Sequence, residues 1–202
     1  LAGRTIAAMA AEKGEGLGRG LNTVTAPTLA SERLILRQLN MDDAPALFDV
    51  LSDDAVMRYW SSGPHADIAE TQSYIAWNAE IDAGHVCWAI TLDESVALGW
   101  IILLPHRKNS FELGYILGRS HWGKGYGYEA ACLALDYAFA NLAARRVMAD
   151  TDPDNMGSIK LLEKLGFQRE GYLREEWETH IGVRDSVIFG LLRNEWLKTP
   201  AP

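Results

Sequence analysis

The sequence is poor in cysteine and has no long apolar segment, and each shortage excludes a class of protein. Cys87 and Cys132 are the only cysteines among 202 residues, and no CxxC pair occurs. This usage argues against a disulfide framework and fits a reducing compartment, so we expect a cytoplasmic protein. No apolar stretch approaches the roughly 18 residues that a membrane-spanning helix requires. We therefore expect no membrane partner.

The sequence also has fewer basic than acidic residues, and its histidines and cysteines show no metal-ligand spacing. Lys and Arg together number 19 against 27 for Asp and Glu, which leaves a net charge of −8. Nucleic-acid-binding proteins usually show the opposite balance, so we expect no nucleic-acid partner. The five histidines have no metal-ligand spacing with one another or with cysteine, so we expect no metal site. An acidic surface would attract a basic substrate such as an amine.

The beginning of the chain differs in composition from the rest. It is rich in Ala and Gly, and its glycines at positions 14, 16, 18 and 20 would weaken any regular element. We interpret residues 1–26 as an N-terminal tail or a loosely attached helix, and residues 27–198 as a single domain. Either the tail or an edge strand of that domain could support a homodimer.

The remaining chain divides into strand-like and helix-like segments. Strand patterns cover residues 33–38, 85–92, 97–104, 111–117, 146–151, 167–172, 177–180 and 183–192. Helical patterns cover residues 42–51, 67–82, 128–142 and 155–165, and Gly84 and Gly166 are the expected stops of two of them. Polar turns join the second, third and fourth strands, which predicts an antiparallel meander. The predicted fold class is α+β, with a strand–helix–strand–helix section after the meander.

A glycine-rich loop carries the strongest chemical signal. It lies between the strand at 111–117 and the helix at 128–142, and it reads Trp122-Gly123-Lys124-Gly125-Tyr126-Gly127. Alternating glycines let the backbone approach a ligand closely, and the start of the following helix offers unsatisfied N–H groups. Three glycines and a lysine at a helix start favour a pyrophosphate site over a simple tight turn.

The same loop has a second interpretation as a dinucleotide site. Residues 125–130 fit GxGxxA, and Asp150 follows about 25 residues later, near the expected place of the acidic residue in that fingerprint. The alternative function is therefore a dinucleotide-dependent oxidoreductase. It is disfavoured because an antiparallel meander precedes the loop and no further strand–helix–strand units follow to build a doubly wound sheet.

Three segments together resemble the GNAT superfamily of N-acetyltransferases, in the branch that includes ribosomal-protein alanine and serine N-terminal acetyltransferases. They are ELGYIL at 112–117 with the glycine loop, NMGSI at 155–159 with LEKLGF at 162–167, and ERLILR at 32–37. The similarity runs from about Thr28 to Trp196. It implies the GNAT fold, a mixed and mostly antiparallel sheet that is flanked by helices. The sheet would splay between residues 111–117 and 146–151 at an acetyl-CoA site.

The resemblance also implies how the co-substrate acetyl-CoA would bind. Backbone groups of Tyr115, Ile116 and Leu117 would pair with the pantetheine arm, and residues 122–127 would hold the pyrophosphate. Trp122 stands where many relatives carry Gln or Arg, as it does in this branch.

Two other segments would complete the site. Asn155 and Ser158 would face the coenzyme arm or its acetyl end. Tyr59 and Trp60 precede a turn at 61–64, and the corresponding loop of relatives borders the acceptor.

The implied reaction is acetyl transfer to a primary amine, either at a protein N-terminus or in a small molecule. Such an amine is mostly protonated at neutral pH and must lose a proton before it attacks. Glu112 lies where several relatives keep a general base, and its alternative is an exposed strand carboxylate. Many relatives protonate the leaving thiolate with a Tyr at the position of Leu162.

The Leu at position 162 has two consequences. It makes Ser158 the replacement candidate for the acid, with a simple bond to a helix carbonyl as the alternative for that hydroxyl. It also leaves open a non-catalytic, coenzyme-A-binding member of the fold.

Overall fold

The computed structural model describes residues 26–79 and 85–197. The predicted tail lies outside the described residues except for Ala26, and Gly84, the expected end of a helix, also lies outside them. Ala26 is buried, and its N–H donates to Oε1 of Gln38 at 2.6 Å. The ordered core therefore includes at least the last residue that we assigned to the tail.

Eight strands form one mostly antiparallel sheet. They are β1 Leu29–Ala30, β2 Ile35–Gln38, β3 Val86–Thr91, β4 Gly99–Arg107, β5 Ser110–Leu117, β6 Arg146–Thr151, β7 Gln168–Thr179 and β8 Gly182–Leu192. The strand order is β1-β2-β3-β4-β5-β6-β8-β7, and β5 with β6 is the one parallel pair among the described strands. The α+β class and the β3–β4–β5 meander are confirmed, and this sheet does not have the doubly wound parallel arrangement of a dinucleotide-binding fold.

Six α-helices accompany the sheet in the described residues. They are α1 Ala44–Leu51, α2 Asp54–Met57, α3 Ile68–Asn78, α4 Tyr126–Ala140, α5 Met156–Lys164 and α6 Arg193–Trp196. None of them is long and apolar enough to cross a bilayer. Helix α4 begins two residues before its predicted start, so Tyr126 and Gly127 belong to the helix and not to the loop.

The last strands also differ from the prediction. The predicted strands at 167–172 and 177–180 are one continuous strand, β7, with register shifts between Arg169 and Gly171 and between Leu173 and Trp177. Glu175 in the second shift has a φ of +52°. Such bulges break the alternation of side chains, and this is why the pattern indicated two short strands.

Each face of the sheet is covered by its own set of helices. Helices α4 and α5 pack on one face against residues such as Trp88, Leu113 and Val147. Helices α1, α2 and α3 pack on the other face, around Trp60 and Trp100. Because successive side chains of a strand point to opposite faces, each central strand contributes residues to both cores.

Candidate functional site between β5 and β6

The parallel strands β5 and β6 are paired only at their beginnings. The pairs are Ser110 with Arg146, Phe111 with Val147 and Glu112 with Met148. Beyond Glu112, β5 continues its ladder with β4 as far as Leu117, and β6 continues its ladder with β8 as far as Thr151. The two strands therefore diverge, and residues 113–117 and 149–151 border a wedge-shaped gap.

The backbone of β5 presents an unpaired edge to this gap. The N–H of Gly118 bonds the carbonyl of Leu98, and hydrogen bonds in an antiparallel ladder alternate in direction along the strand. The alternation directs the polar groups of Ile116 toward Trp100 of β4 and those of Tyr115 and Leu117 toward the gap. Of the three residues predicted to meet the pantetheine arm, Tyr115 and Leu117 therefore present their backbone groups to the gap.

Trp122 forms a hydrogen bond with one of those backbone groups. Its indole N–H donates to the carbonyl of Leu117 at 2.7 Å, while 48% of the residue stays exposed. This bond ties the start of the glycine loop to the end of β5. The carbonyl of Leu117 already accepts a hydrogen bond from the protein, so the N–H and C=O of Tyr115 and the N–H of Leu117 are left on this edge.

The glycine loop adopts a conformation that favours glycine at two positions. Gly123 has a φ of +71° and Gly125 a φ of +85°, in the left-handed region that other residues rarely adopt. Gly125 is the N-cap of α4, and no side chain caps this helix. Its first N–H groups, beginning with that of Tyr126, are therefore available to an anion, and the helix dipole adds to their attraction.

Arg33, which the sequence reading did not place in the site, holds this loop from the side. Its Nε donates to Oε2 of Glu129 at 2.8 Å, its Nη1 donates to the carbonyl of Lys124 at 3.1 Å, and its guanidinium lies 5.1 Å from the ring centre of Tyr126. Burial alone would raise the pKa of Glu129, but hydrogen bonds from Ser31 and Arg33 outweigh that effect and lower it. Arg33 thereby neutralises a carboxylate that would otherwise repel an anion in the loop.

Neutral polar side chains line the gap on the α4–α5 side. Oδ1 of Asn155 caps α5 by accepting the N–H of Ser158 at 3.2 Å, and the hydroxyls of Ser158 and Tyr115 share a hydrogen bond of 2.6 Å. Nδ2 of Asn155 and Oγ1 of Thr151 are buried with no hydrogen-bond partner among the described residues. A buried polar atom without a partner costs about 1–3 kcal/mol, so both atoms indicate a ligand that would satisfy them.

Thr151 is a second residue that sequence reasoning missed. Its place at the end of β6, on the same face as Val147 and Ala149, could have been derived from the alternation of that strand.

Glu112 lies at the apex of the gap, where β5 and β6 separate. Its side chain is on the face of the sheet opposite to the one that carries Thr151 and Ser158. Its strand partner Leu104 and its neighbour Ile116 both belong to the core around Trp100, so Glu112 faces α1–α3. Only 2% of Glu112 is exposed. The alternative of an exposed strand carboxylate is therefore wrong, and the carboxylate is held inside the protein where the strands part.

The two residues proposed to border an acceptor have different surroundings. Trp60 is fully buried and packs edge-on against Trp100, with 5.4 Å between ring centres, so it is a core residue with no accessible surface. Tyr59 is half-buried beneath Arg58. The following turn approaches the β7–β8 turn closely, because a Cβ at Gly63 would lie 3.5 Å from that of His180.

The end of β6 is bound tightly to the closing hairpin. Oδ2 of Asp150 accepts the indole N–H of Trp177 at 2.9 Å, and Oδ1 accepts the hydroxyl of Ser186. Arg184 donates to Asp152 at 2.8 Å, and Asp152 is fully buried. Asp150 is thus engaged within the sheet and does not extend toward the glycine loop, which contradicts its assignment as the ribose ligand of a dinucleotide site.

The described residues contain no group of three or more His, Cys, Asp or Glu side chains that could hold a metal ion. The gap brings together an uncapped helix start, an unpaired strand edge, neutral hydroxyl and amide groups, and one buried carboxylate.

Comparison with known proteins agrees with this geometry. A family model described as Acetyltransferase (GNAT) domain matches residues 33–168. The uncharacterized N-acetyltransferase p20 of Bacillus licheniformis is 33% identical over 174 residues, which cover 84% of this chain and 98% of that protein.

Solved structures share the fold over similar lengths. The GNAT-family acetyltransferase of Bacillus anthracis superposes with a TM-score of 0.76 at 26% identity and covers 84% of this chain and all of its own. The spermidine N-acetyltransferase of Vibrio cholerae, crystallised with CoA and spermine, has a TM-score of 0.72 at 23% identity and covers 83% of this chain and all of its own.

Proposed function

Because the chain belongs to the GNAT family of acetyltransferases, we propose that it moves an acetyl group from acetyl-CoA to a primary amine by direct attack within a ternary complex. The observation that carries this proposal is the gap between β5 and β6. The uncapped start of α4 lies at its open end, beyond Leu117, and the buried carboxylate of Glu112 lies at its apex. The gap thus offers an anion site and a proton acceptor at opposite ends.

We assign the coenzyme to the α4 end and to the edge of β5. The N–H groups at the start of α4, the glycines of the loop and Lys124 would hold the pyrophosphate, with residues 122–127 as the cradle. The strand of Tyr115, Ile116 and Leu117 would pair with the pantetheine arm, mainly through Tyr115. The unpartnered Nδ2 of Asn155 and Oγ1 of Thr151 support a ligand that brings amide or carbonyl groups into the gap.

The proposed reaction requires a proton to leave the amine. Glu112 accepts that proton directly or through a water molecule, which leaves the nitrogen lone pair for attack on the acetyl carbonyl carbon. The N–C bond forms and the nitrogen releases its second proton to solvent. The C–S bond breaks, and the electron pair of that bond stays on sulfur as a thiolate. Ser158 donates a hydrogen bond to the sulfur. Glu112 and Ser158 belong to opposite sides of the sheet, so base and donor do not compete for one position.

The acceptor would approach from the side of α1–α3. Tyr59 remains our candidate for this border, whereas the burial of Trp60 limits it to supporting the acceptor loop from behind. We propose a primary amine as acceptor, either a small polyamine or a protein N-terminus. The net charge of −8 supports a cationic acceptor, and the solved V. cholerae relative is named for spermidine. We place the reaction in the cytoplasm, in agreement with two free cysteines.

Ligand-dependent thermal unfolding tests the coenzyme assignment. Acetyl-CoA at about 100 times its Kd should raise the midpoint by roughly 5–10 °C. NAD and NADP should have no effect. A rise with either dinucleotide and none with acetyl-CoA would overturn the proposal. Product formation with spermidine, an amino sugar and short peptides that begin with Ala or Ser would then identify the acceptor.

Substitution of Glu112 separates an enzyme from a coenzyme-binding protein without activity. Glu112→Gln keeps the size of the buried side chain but removes the base, so we expect kcat to fall roughly 100-fold while the Kd of acetyl-CoA is unchanged. The matched control is Glu178→Gln, at an exposed position of β7, which should retain full activity. Unchanged turnover in Glu112→Gln would remove this residue from the mechanism.

A further inference from the structure

A side-chain hydrogen bond connects β5, on one side of the gap, to the first turn of α5 on the other side. The hydroxyl of Tyr115, from β5, lies 2.6 Å from that of Ser158, from the first turn of α5, although 43 residues separate them in the chain. The side chain of Leu162, one helical turn after Ser158, is completely buried in the core beneath. Position 162 therefore brings no hydroxyl to the gap, and the hydroxyls of Tyr115 and Ser158 lie nearer the start of the helix.

The two hydroxyls differ in what they can do. Burial raises the pKa of Tyr115 far above neutrality, so its phenol stays protonated and can donate a hydrogen bond at any physiological pH. A serine hydroxyl can accept one hydrogen bond and donate another. If Tyr115 donates to Ser158, the hydrogen of Ser158 is directed away from Tyr115, and its donation to a third atom is strengthened by the first bond.

From this geometry we infer that Tyr115 is a positioning residue, which directs the hydroxyl hydrogen of Ser158 toward the sulfur of the coenzyme. The inference rests on the proposed function, because it concerns the leaving group of the acetyl transfer. When the C–S bond breaks, its electron pair remains on sulfur, and Ser158 stabilises that charge through a hydrogen bond. Neither Ser158 nor Tyr115 loses its proton, so both protons that are released come from the amine nitrogen.

The ionisation of the bound coenzyme A thiol tests this inference without any acceptor. The thiolate is followed by its ultraviolet absorbance while the complex of protein and coenzyme A is titrated. A hydrogen bond from Ser158 should lower the thiol pKa, so Ser158→Ala should raise that pKa by about 1. Tyr115→Phe should raise it by about half as much or more, and the double variant should match Ser158→Ala alone.

A matched variant controls for the loss of a phenol hydroxyl. Tyr137 lies half-buried on α4 and packs edge-on against Trp88, with 5.3 Å between ring centres. Tyr137→Phe should leave both the thiol pKa and the Kd of coenzyme A unchanged. Equal thiol pKa values in the wild type, Tyr115→Phe and Ser158→Ala would overturn the inference. Additive effects of the two substitutions would also overturn it, because Tyr115 would then act independently of Ser158.

Turnover provides a second readout. We expect kcat to fall roughly three- to tenfold in Tyr115→Phe with the KM for acetyl-CoA unchanged, and no further in the double variant than in Ser158→Ala. An equal rise in KM would instead indicate that Tyr115 only supports the binding site. Failure of the wild-type protein to acetylate any amine would refute the proposed function. The thiol titration would still decide the role of Tyr115 in that case.

Discussion

The two helices that flank the gap begin in opposite ways. At the start of α5, the side chain of Asn155 accepts the N–H of Ser158, so the helix is capped by the protein itself. At the start of α4, Gly125 has no side chain and the first N–H groups have no cap. An uncapped helix start attracts an anion, whereas a capped one presents neutral groups. This difference in capping supports our proposal that the phosphates lie at the start of α4 and the uncharged arm near α5.

The first turn of α4 is instead stabilised by side chains of Ser31 and Arg33, which do not belong to the helix. Arg33 bridges Glu129, the carbonyl of Lys124 and the ring of Tyr126, and Ser31 bonds the other carboxylate oxygen of Glu129 at 2.6 Å. These contacts order the first turn while leaving its N–H groups open. A side-chain cap would have ordered the same turn but would have occupied the groups that a phosphate needs.

The largest effect is expected from Gly125→Val. A Cβ at this position would lie 3.3 Å from Nη2 of Arg33, and a φ of +85° strains any branched side chain. Either Arg33 or the loop must shift, and we expect affinity for acetyl-CoA to fall at least about 100-fold, or about 2.7 kcal/mol, measured by calorimetry.

Gly182→Val is the control for backbone strain. Gly182 has a φ of +100° and open space around its Cβ position, but it lies in the β7–β8 turn. The Gly182→Val protein should lose about as much stability as the Gly125→Val protein and should bind acetyl-CoA with normal affinity. Normal affinity in Gly125→Val would discredit the assignment of the loop.

Two substitutions of Asn155 separate the capping role of its Oδ1 from the hydrogen-bond donor role of its Nδ2. Asn155→Ala loses both, so we expect about 1 kcal/mol lower stability and roughly tenfold weaker coenzyme binding. Asn155→Asp retains an oxygen that can accept the N–H of Ser158, so stability should be kept while binding weakens to a similar degree. Denaturant unfolding and calorimetry measure the two effects. Wild-type affinity in Asn155→Asp would show that Nδ2 does not contact the coenzyme.

The smallest effect concerns the ion pair beside α4. Arg33 is about half exposed, so replacing Glu129 with Gln should cost only about 0.5–1 kcal/mol at neutral pH. Because folding lowers the pKa of Glu129 from its usual 4.5, the stabilisation is present above that value and disappears as the pH falls through the lower pKa of the folded state. Denaturant unfolding of both proteins from pH 7 into the acid range should therefore show converging stabilities. A difference that does not shrink as the pH falls below 4.5 would contradict this explanation.

Local patterns were sufficient for most elements of this protein. The meander was predictable because polar turns separate β3, β4 and β5, and α5 was predictable because a capping residue precedes it and Gly166 follows it. The start of α4 was misjudged because the helix follows directly from the left-handed Gly125, with two glycine-loop residues inside its first turn. The continuity of β7 was missed because its bulges interrupt the side-chain alternation.

The candidate site divides in the same way. The glycine loop, Glu112, Asn155 and Ser158 were proposed from short segments, since each lies within a local motif. The contact of Arg33 with Glu129 joins residues 96 apart, and no local pattern indicates it. Trp60 was expected at the acceptor border, but packing against Trp100 buries it completely.

The sequence by itself determined the order of the elements and the glycine-rich composition of the loop before α4. These properties depend on neighbouring residues and on their intrinsic conformational preferences. Only the tertiary structure decided where β5 and β6 part, that Glu112 and Tyr115 face opposite sides of the sheet, and that Tyr115 meets Ser158. Those relations depend on strand register and on the packing of distant segments, which the hydrophobic pattern constrains but does not specify.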